Sequence, residues 1–179
     1  EMDAGNMSPL PIHSAMLFET NGEFLKKIAI SNGQAILAHL QNTEVALQPI
    51  KKPLLRNVKQ KRIKVGYLSV SFSRHAAACL THGLFKHHDR DEFEVFVYAI
   101  DVKKPCQFFD EISNTAEHVY ELNSMNDFEI AEFIQSHDLD VLIDRDGLTA
   151  NNKQGAYYYR PAPIQITWLG TPATSGMPW

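Results

Sequence analysis

The sequence predicts an α/β fold, a Rossmann-like parallel sheet with flanking helices, preceded by a short helical segment. Short runs rich in β-branched and aromatic residues alternate with amphipathic runs from Ile63 to Leu169. This alternation is typical of β-α-β units, which build parallel sheets with right-handed crossovers. With 179 residues, 44% of them hydrophobic, the chain is large enough for one such domain and an extension.

Five strands are predicted, over residues 63–69, 93–100, 118–122, 141–144 and 164–169. The second is rich in aromatic and branched residues, which predicts a strand buried within the sheet. Helices are predicted at Ala76–Lys86, at Pro105–Ala116 and from Asn126 onward. Pro105 suits a first helical turn, and Asn126 with Glu129 has the spacing of a capping box.

Residues 1–60 are predicted to form an N-terminal extension with short helices and a linker, ahead of a domain over 61–179. A capping pattern at Thr20–Glu23 precedes apolar residues at helical spacing. Ser31–Gly33 predicts a break before a second helix. Basic residues are concentrated between Lys51 and Lys61, which favours a solvated linker over a phosphate-binding patch.

Composition argues against several classes of function. The formal net charge of −4 provides no basic face for nucleic acid, and no apolar run approaches the roughly 20 residues of a membrane span. The N-terminus lacks the basic and apolar parts of a signal peptide. Cys79 and Cys106 are too few for a disulfide framework. Both are predicted to be buried thiols of a soluble, cytoplasmic protein.

Three polar loops follow predicted strands, at the carboxyl ends where parallel α/β sheets bind ligands. They are Ser69–His75, Asp144–Thr149 and Leu169–Gly176. In the first loop, a neutral His75 imidazole would accept a proton from a hydroxyl or bind a sugar by hydrogen bonds. Helix capping without a chemical role is the alternative, and the spacing alone favours it. The loop has no G-x-G-x-x-G pattern, so a dinucleotide fingerprint is absent.

The second and third loops carry carboxylates, hydroxyls and glycines. The acids of Asp144–Thr149 would hold sugar hydroxyls or satisfy only the amides of their own turn, and Arg145 is expected to neutralise one of them. No further ligands at metal spacing accompany them, so no metal site is predicted. The amides of Leu169–Gly176 would bind a phosphate or sugar, unless the segment is an ordinary flexible loop. Trp168 is expected in the core, with sugar stacking as the alternative.

Together with their neighbours, these loops resemble the catalytic region of O-GlcNAc transferases and SPINDLY-like proteins. The similarity begins with KRIKVGYLS at 61–69 and continues through SFSRH at 71–75, where the family has D-F-x-x-H, and FEVFVYA at 93–99. The most specific match is RPAPIQ at 160–165 with WLGTPATSG at 168–176. The family version is R-P-A-P-x-Q-x-x-x-L-G-x-P-G-T-S/T-G. The resemblance covers residues 61–179.

This resemblance implies one lobe of a two-lobed GT-B architecture, with the active site between the lobes. It implies an inverting transfer of a sugar to Ser or Thr hydroxyls of proteins, without a metal or other cofactor. The donor would be UDP-GlcNAc, or GDP-fucose as in some SPINDLY proteins. His75 is the implied catalytic residue, which would orient or deprotonate the acceptor hydroxyl or contact the sugar. The implied donor-side residues are Thr149, Gly170, Pro172, Thr174 and Ser175.

The resemblance also implies the partners of the chain. They are a nucleotide sugar, a protein acceptor, a C-terminal lobe that supplies most of the nucleotide pocket, and an upstream helical-repeat region. The sequence stops at Trp179 without a second lobe, so little or no activity is expected from the chain alone.

Several residues depart from the family pattern and leave alternatives open. The departures are Ser71, Asp146, Asn151, Lys153, Thr171 and Ala173, which stand where the family often has Asp, Asn, Gly, Arg, Tyr and Gly. The methyl group of Ala173 restricts a loop whose backbone should approach a ligand. A non-catalytic scaffold domain and a free-standing sugar-phosphate sensor are therefore the alternative functions.

Overall fold

The structure, a computed structural model, describes residues 21–41, 62–171 and 175–177. The described residues contain one parallel sheet in the order β3-β2-β1-β4-β5. Each strand lies within a span predicted from the sequence, and the predicted fold class is confirmed. The strands are β1 (Ile63–Ser69), β2 (Phe93–Ala99), β3 (His118–Glu121), β4 (Val141–Asp144) and β5 (Ile164–Thr167).

In the described ranges, five α-helices connect or precede these strands: α1 (Gly22–Gln41), α2 (Ala76–Thr81), α3 (Gln107–Thr115), α4 (Asp127–Gln135) and α5 (Gln154–Tyr158). α2 is shorter than predicted because the chain tightens into a 3₁₀ helix over His82–His87. α3 begins after Pro105, since Cys106 has an extended backbone and caps the helix. The capping box of α4 is confirmed: Asn126 Oδ1 accepts from Glu129 N–H at 3.0 Å.

The predicted break in the N-terminal segment is wrong, because α1 is one helix of 20 residues. Gly33 is buried in the middle of this helix, where an added Cβ would lie 3.3 Å from Gly176 O. The glycine therefore allows a close approach and does not end a helix. α1 also packs on the domain: Ile28 shares an apolar cluster with Leu148, and Leu40 belongs to the main core.

Apolar side chains cover both faces of the sheet. In β2, Phe96 and Tyr98 belong to one buried cluster, while Val95 and Val97 belong to another. Successive side chains of a strand point to opposite faces, so this division places the two clusters on the two faces of the sheet. Within residues 21–41, 62–171 and 175–177, no helix has the length and apolar content required to cross a membrane.

Two side chains predicted to be buried, those of Trp168 and Cys79, are exposed, and so is that of Leu80 in α2. Leu80 is 75% exposed, because α2 has fewer than two full turns and covers the sheet with its other side. Trp168 is 42% exposed: it follows β5, an edge strand on which Ile164 and Ile166 are also exposed. Cys79 is exposed as well, and only Cys106 is a buried thiol.

Candidate functional site

The three polar loops meet at the carboxyl edge of the sheet, as the sequence predicts. β1 and β4 are neighbours in the sheet, and the chain leaves β1 toward β2 but leaves β4 toward β5, on the opposite side. A crevice forms where the strand order reverses in this way, and such crevices are where open α/β sheets bind ligands. The first loop follows β1, the second follows β4, and the third follows β5.

Asp146 joins the first loop to the second. Asp146 is 2% exposed. Its carboxylate accepts two hydrogen bonds from residues at the end of β1. Ser69 Oγ donates to Oδ1 at 2.7 Å, and Val70 N–H donates to Oδ2 at 2.7 Å. Both carboxylate oxygens are therefore occupied by the neighbouring loop.

The third loop lies directly on the second. Leu148 N–H donates to Thr171 Oγ1 at 3.0 Å. Gly170 has a φ of +72°, and an added Cβ there would lie 2.5 Å from Asp146 O. Both the left-handed backbone and the close approach require glycine at this position.

Asp144 accepts hydrogen bonds from the amides of its own turn, which is one of the two roles predicted for the acids of this loop. Its Oδ1 accepts from the N–H groups of Asp146 at 2.9 Å and Gly147 at 3.1 Å, and its Oδ2 accepts from Gln154 Nε2 at 2.5 Å. Burial raises the pKa of Asp144, and these hydrogen bonds oppose that shift. The carboxylate therefore shapes the turn and has few free acceptor positions for a sugar.

Arg145 does not pair with a neighbouring carboxylate, so that expectation is wrong. Its guanidinium is fully buried beneath α2, where Nη2 donates to Ala77 O at 3.1 Å and to Thr81 Oγ1. Its central carbon lies 4.5 Å from the centre of the Phe72 ring. Burial lowers the pKa of Arg145 to about 10. Its Nε and Nη1 have no hydrogen-bond partner among the described residues.

His75 caps α2 and is also exposed at the crevice. Its backbone is extended, with a φ of −139°, and its Nδ1 accepts from Ala77 N–H at 3.2 Å. Because Nδ1 uses its lone pair in this bond, the proton of the neutral ring lies on Nε2. His75 therefore caps the helix and presents an N–H donor at the same time.

Two cavities open at the crevice and share a wall formed by His75 and Thr149. The α1 cavity, of about 700 Å³, is also bordered by Asn32, His39 and Asp127. The loop cavity, of about 380 Å³, is also bordered by Ser71, Ala76, Leu80, Arg145, Gly170 and Thr171. The Oγ1 atom of Thr149 is buried and has no hydrogen-bond partner among the described residues.

The remaining predicted site residues are not all at the shared wall. Ser175 accepts from Met177 N–H at 3.4 Å and does not border either cavity. Pro172 and Thr174 lie outside the described residues, as does the predicted basic linker. In the part of the chain that the structure describes, no group of three or more His, Cys, Asp or Glu side chains could hold a metal ion.

Sequence reasoning missed the residues that border the α1 cavity from other elements. Asn32 and His39 come from α1, whose position against the domain has no signal in the sequence. Asp127 follows the capping residue of α4, and that signal places it at the carboxyl edge. Burial raises the pKa of Asp127, although Lys153 Nζ lies 3.8 Å from its Oδ1.

Comparison with known proteins extends the resemblance to the N-terminal segment. The model of glycosyl transferase family 41 matches residues 3–179, beyond the region recognised from motifs. The probable UDP-N-acetylglucosamine–peptide N-acetylglucosaminyltransferase SEC of Arabidopsis thaliana is 31% identical over 128 residues, 72% of this chain and 13% of that protein. The UDP-N-acetylglucosamine–peptide N-acetylglucosaminyltransferase of Caenorhabditis elegans is 35% identical over 117 residues, 65% of this chain and 10% of that protein.

A solved structure shares the fold. A mutant O-GlcNAc transferase from Thermobaculum terrenum aligns with a TM-score of 0.72 and 22% identity, over 89% of this chain and 29% of that one. At this identity the alignment supports the Rossmann-like architecture alone. The match to the family model covers nearly all of the sequence, and the motifs resemble the same family. The chain therefore belongs to glycosyl transferase family 41.

Proposed function

We propose that this chain supplies one lobe of an inverting glycosyltransferase that transfers GlcNAc from a nucleotide sugar to Ser or Thr hydroxyls of proteins. Two of its relatives carry the name UDP-N-acetylglucosamine–peptide N-acetylglucosaminyltransferase, and the chain spans 13% and 10% of their lengths. The activity is therefore proposed for a complete protein that contains this lobe. A cytoplasmic location and a reaction without a metal or other cofactor are parts of the same proposal.

The observation that carries the proposal is the buried hydroxyl of Thr149, which has no hydrogen-bond partner within residues 21–41, 62–171 and 175–177. A buried polar atom without a partner costs about 1–3 kcal/mol, and native proteins rarely keep one without a reason. This hydroxyl lies on the wall between two cavities, next to His75. A ligand oxygen in either cavity would provide the missing partner.

The two cavities suit the two substrates of a transfer reaction. We assign the sugar and phosphates of the donor to the loop cavity, where Gly170 brings the backbone close and Thr149 offers its hydroxyl. The larger α1 cavity would receive the segment of the acceptor protein that carries the Ser or Thr. His75 would then stand between donor and acceptor.

The hydrogen bond of His75 favours one of its candidate roles. Nδ1 is occupied by Ala77 N–H, so the ring offers the N–H of Nε2 to an oxygen of the sugar or leaving phosphate. Deprotonation of the acceptor hydroxyl at Nδ1 would require loss of the helix cap. A donor aimed at charge that develops on an oxygen contributes about 10²–10³-fold to a rate.

Replacement of Thr149 by Val distinguishes a role in donor binding from a role in the stability of the fold. Val removes the hydroxyl and keeps the shape, and no hydrogen bond among the described residues is lost. We expect an unchanged or higher melting temperature of the chain, together with weaker donor use by the complete protein. Thermal denaturation and transfer of GlcNAc from UDP-GlcNAc to peptides measure the two effects. Unaltered transfer would contradict the assignment.

His75→Ala tests the second residue of the shared wall, with His82→Ala as the matched control. His82 lies on the same segment, but its Nδ1 pairs with Glu111 Oε2 at 2.7 Å. We expect His75→Ala to lower transfer by about 10²-fold and His82→Ala to leave it nearly unchanged. The assay uses UDP-GlcNAc and GDP-fucose in parallel, so it also identifies the donor. Absence of transfer from both donors by the unaltered complete protein would favour the scaffold function.

A further inference from the structure

The dipeptide Arg145-Asp146 holds the first loop at both of its ends. We infer that these two residues are positioning residues, which fix the imidazole of His75 relative to the hydroxyl of Thr149. The inference rests on the proposed function, because it concerns the geometry of the same two side chains. Asp146 is 2% exposed and borders neither cavity. Arg145 is 0% exposed, and its buried side chain lies behind the wall of the loop cavity.

Asp146 fixes the start of the loop. Its two carboxylate oxygens accept from Ser69 Oγ and Val70 N–H, both at 2.7 Å. A third hydrogen bond extends this link, because Ser71 N–H donates to the same Ser69 Oγ at 2.9 Å. The first residues after β1 are thus held on the second loop by three connected hydrogen bonds.

Arg145 fixes the end of the loop through one residue, Ala77. The N–H of Ala77 donates to His75 Nδ1 at 3.2 Å, and the C=O of Ala77 accepts from Arg145 Nη2 at 3.1 Å. Thr81 reinforces the contact, since its Oγ1 donates to Ala77 O at 2.6 Å and accepts a hydrogen bond from Arg145 Nη2. A single residue therefore connects the imidazole to the guanidinium.

The same dipeptide also sets the position of Thr149. Thr149 N–H donates to Asp146 O at 3.2 Å, which closes the turn of the second loop. Thr171 Oγ1, which accepts from Leu148 N–H, lies 3.4 Å from Asp146 O as well. The carbonyl of Asp146 thus holds Thr149, while its side chain holds the start of the loop that carries His75.

The energetics of Arg145 agree with a positioning role. Its Nε and Nη1 have no partner among the described residues, and burial of such a charge costs stability. An apolar side chain of similar size would fill the space beneath α2 at a lower cost. Local arrangements that lower stability in this way are expected at functional sites.

The test uses Arg145→Met and Asp146→Ala, with Asp140→Ala as the control. Asp140 also links β4 to β1, since its Oδ2 accepts from Lys64 N–H at 2.8 Å, but it does so at the opposite end of the sheet. Ring ¹⁵N shifts of His75, assigned by their loss in His75→Gln, report which ring nitrogen of this chain carries the proton. We expect both positioning variants to lower the ratio of the Nε2–H to the Nδ1–H tautomer by about fivefold, equivalent to one net hydrogen bond.

In the complete protein, both positioning variants should lower kcat by about 10²-fold with little change in the donor KM. Asp146→Asn keeps one acceptor oxygen and should recover most of the lost rate. If Asp146→Ala does not fold, Arg145→Met still decides the question. A tautomer ratio that falls no further than in Asp140→Ala would overturn the inference. A lowered ratio with unaltered transfer would support positioning and would instead refute the proposed role of His75.

Discussion

Charged side chains have opposite environments in the turn after β4 and at the amino end of the sheet. At the carboxyl end, residues 144–146 are at most 3% exposed, and their side chains bond mainly to backbone groups and neutral side chains. At the amino end, Glu117 pairs with Arg62 at 2.7 Å and with Arg90 at 3.0 Å, and each of the three side chains is about 30% exposed. Charged side chains are thus buried where the three loops meet and partly exposed to solvent at the amino end.

This difference determines how well each region tolerates a substitution. Partly exposed ion pairs contribute little to the free energy of unfolding, typically about 0–1 kcal/mol. They tolerate substitution because water replaces a lost partner. A buried charged group tolerates change poorly, because its partners stay behind without water. The ion-pair side chains at the amino end can therefore be replaced at little cost, whereas the buried side chains of residues 144–146 fix the relative positions of three loops.

The largest effect is expected for Asp144→Ala. Two backbone N–H groups and Gln154 Nε2 would lose their acceptor in a buried turn, which should lower the free energy of unfolding by about 3 kcal/mol. Asp140→Ala, at the amino end, removes the acceptor of the Lys64 backbone amide and should cost about 1 kcal/mol. Urea denaturation measures both values, and equal losses would contradict the contrast between the two ends.

Gly170→Ala should give the next largest effect. The new methyl group would require a left-handed backbone conformation and would lie 2.5 Å from Asp146 O. We expect a loss of about 2 kcal/mol in unfolding free energy and a displaced third loop. Gly22→Ala is the control, because an added Cβ there meets no atom within 4 Å. A melting temperature of Gly170→Ala equal to that of the control would show that the third loop is free to move.

Glu117→Gln should have the smallest effect. The ion pairs of Glu117 are half-exposed, so we expect a loss below about 1 kcal/mol that decreases further in high salt. Burial alone would raise the pKa of Glu117, but its hydrogen bonds to Arg62, Val95 and Arg90 lower it below the ordinary 4.5. The contribution is therefore present above pH 4.5 and is lost as the pH falls through the lowered value. Melting curves at several pH values would test this, and an equal difference from wild type at all of them would contradict it.

The sheet was predictable from the sequence because each strand depends on a local pattern. All five strands lie within their predicted spans, and the capping box at Asn126 and Glu129 forms as expected. α5 was missed, since its five residues are too few to show a helical period. The break at Gly33 was wrongly predicted because the reason for that glycine is a contact with Gly176, far away in the sequence.

The candidate site was predictable only as a set of loops. The ends of the strands identify the first two loops, and His75 and Thr149 do border common cavities. The sequence does not reveal that Arg145 turns away from Asp144 and Asp146 and reaches α2. That direction depends on the packing of Phe72 and Ala77, which come from a different part of the chain. His39 was missed for the same reason.

The contact between Gly33 and Gly176 has a consequence for how the protein is made. At a synthesis rate of about 5–20 residues per second, α1 leaves the ribosome on the order of ten seconds before the segment that receives it. During this interval the apolar side of α1, which includes Ile28 and Ala29, has no finished docking surface. Contacts that close such long loops form late. We therefore expect the nascent chain to depend on chaperones until the third loop has been translated.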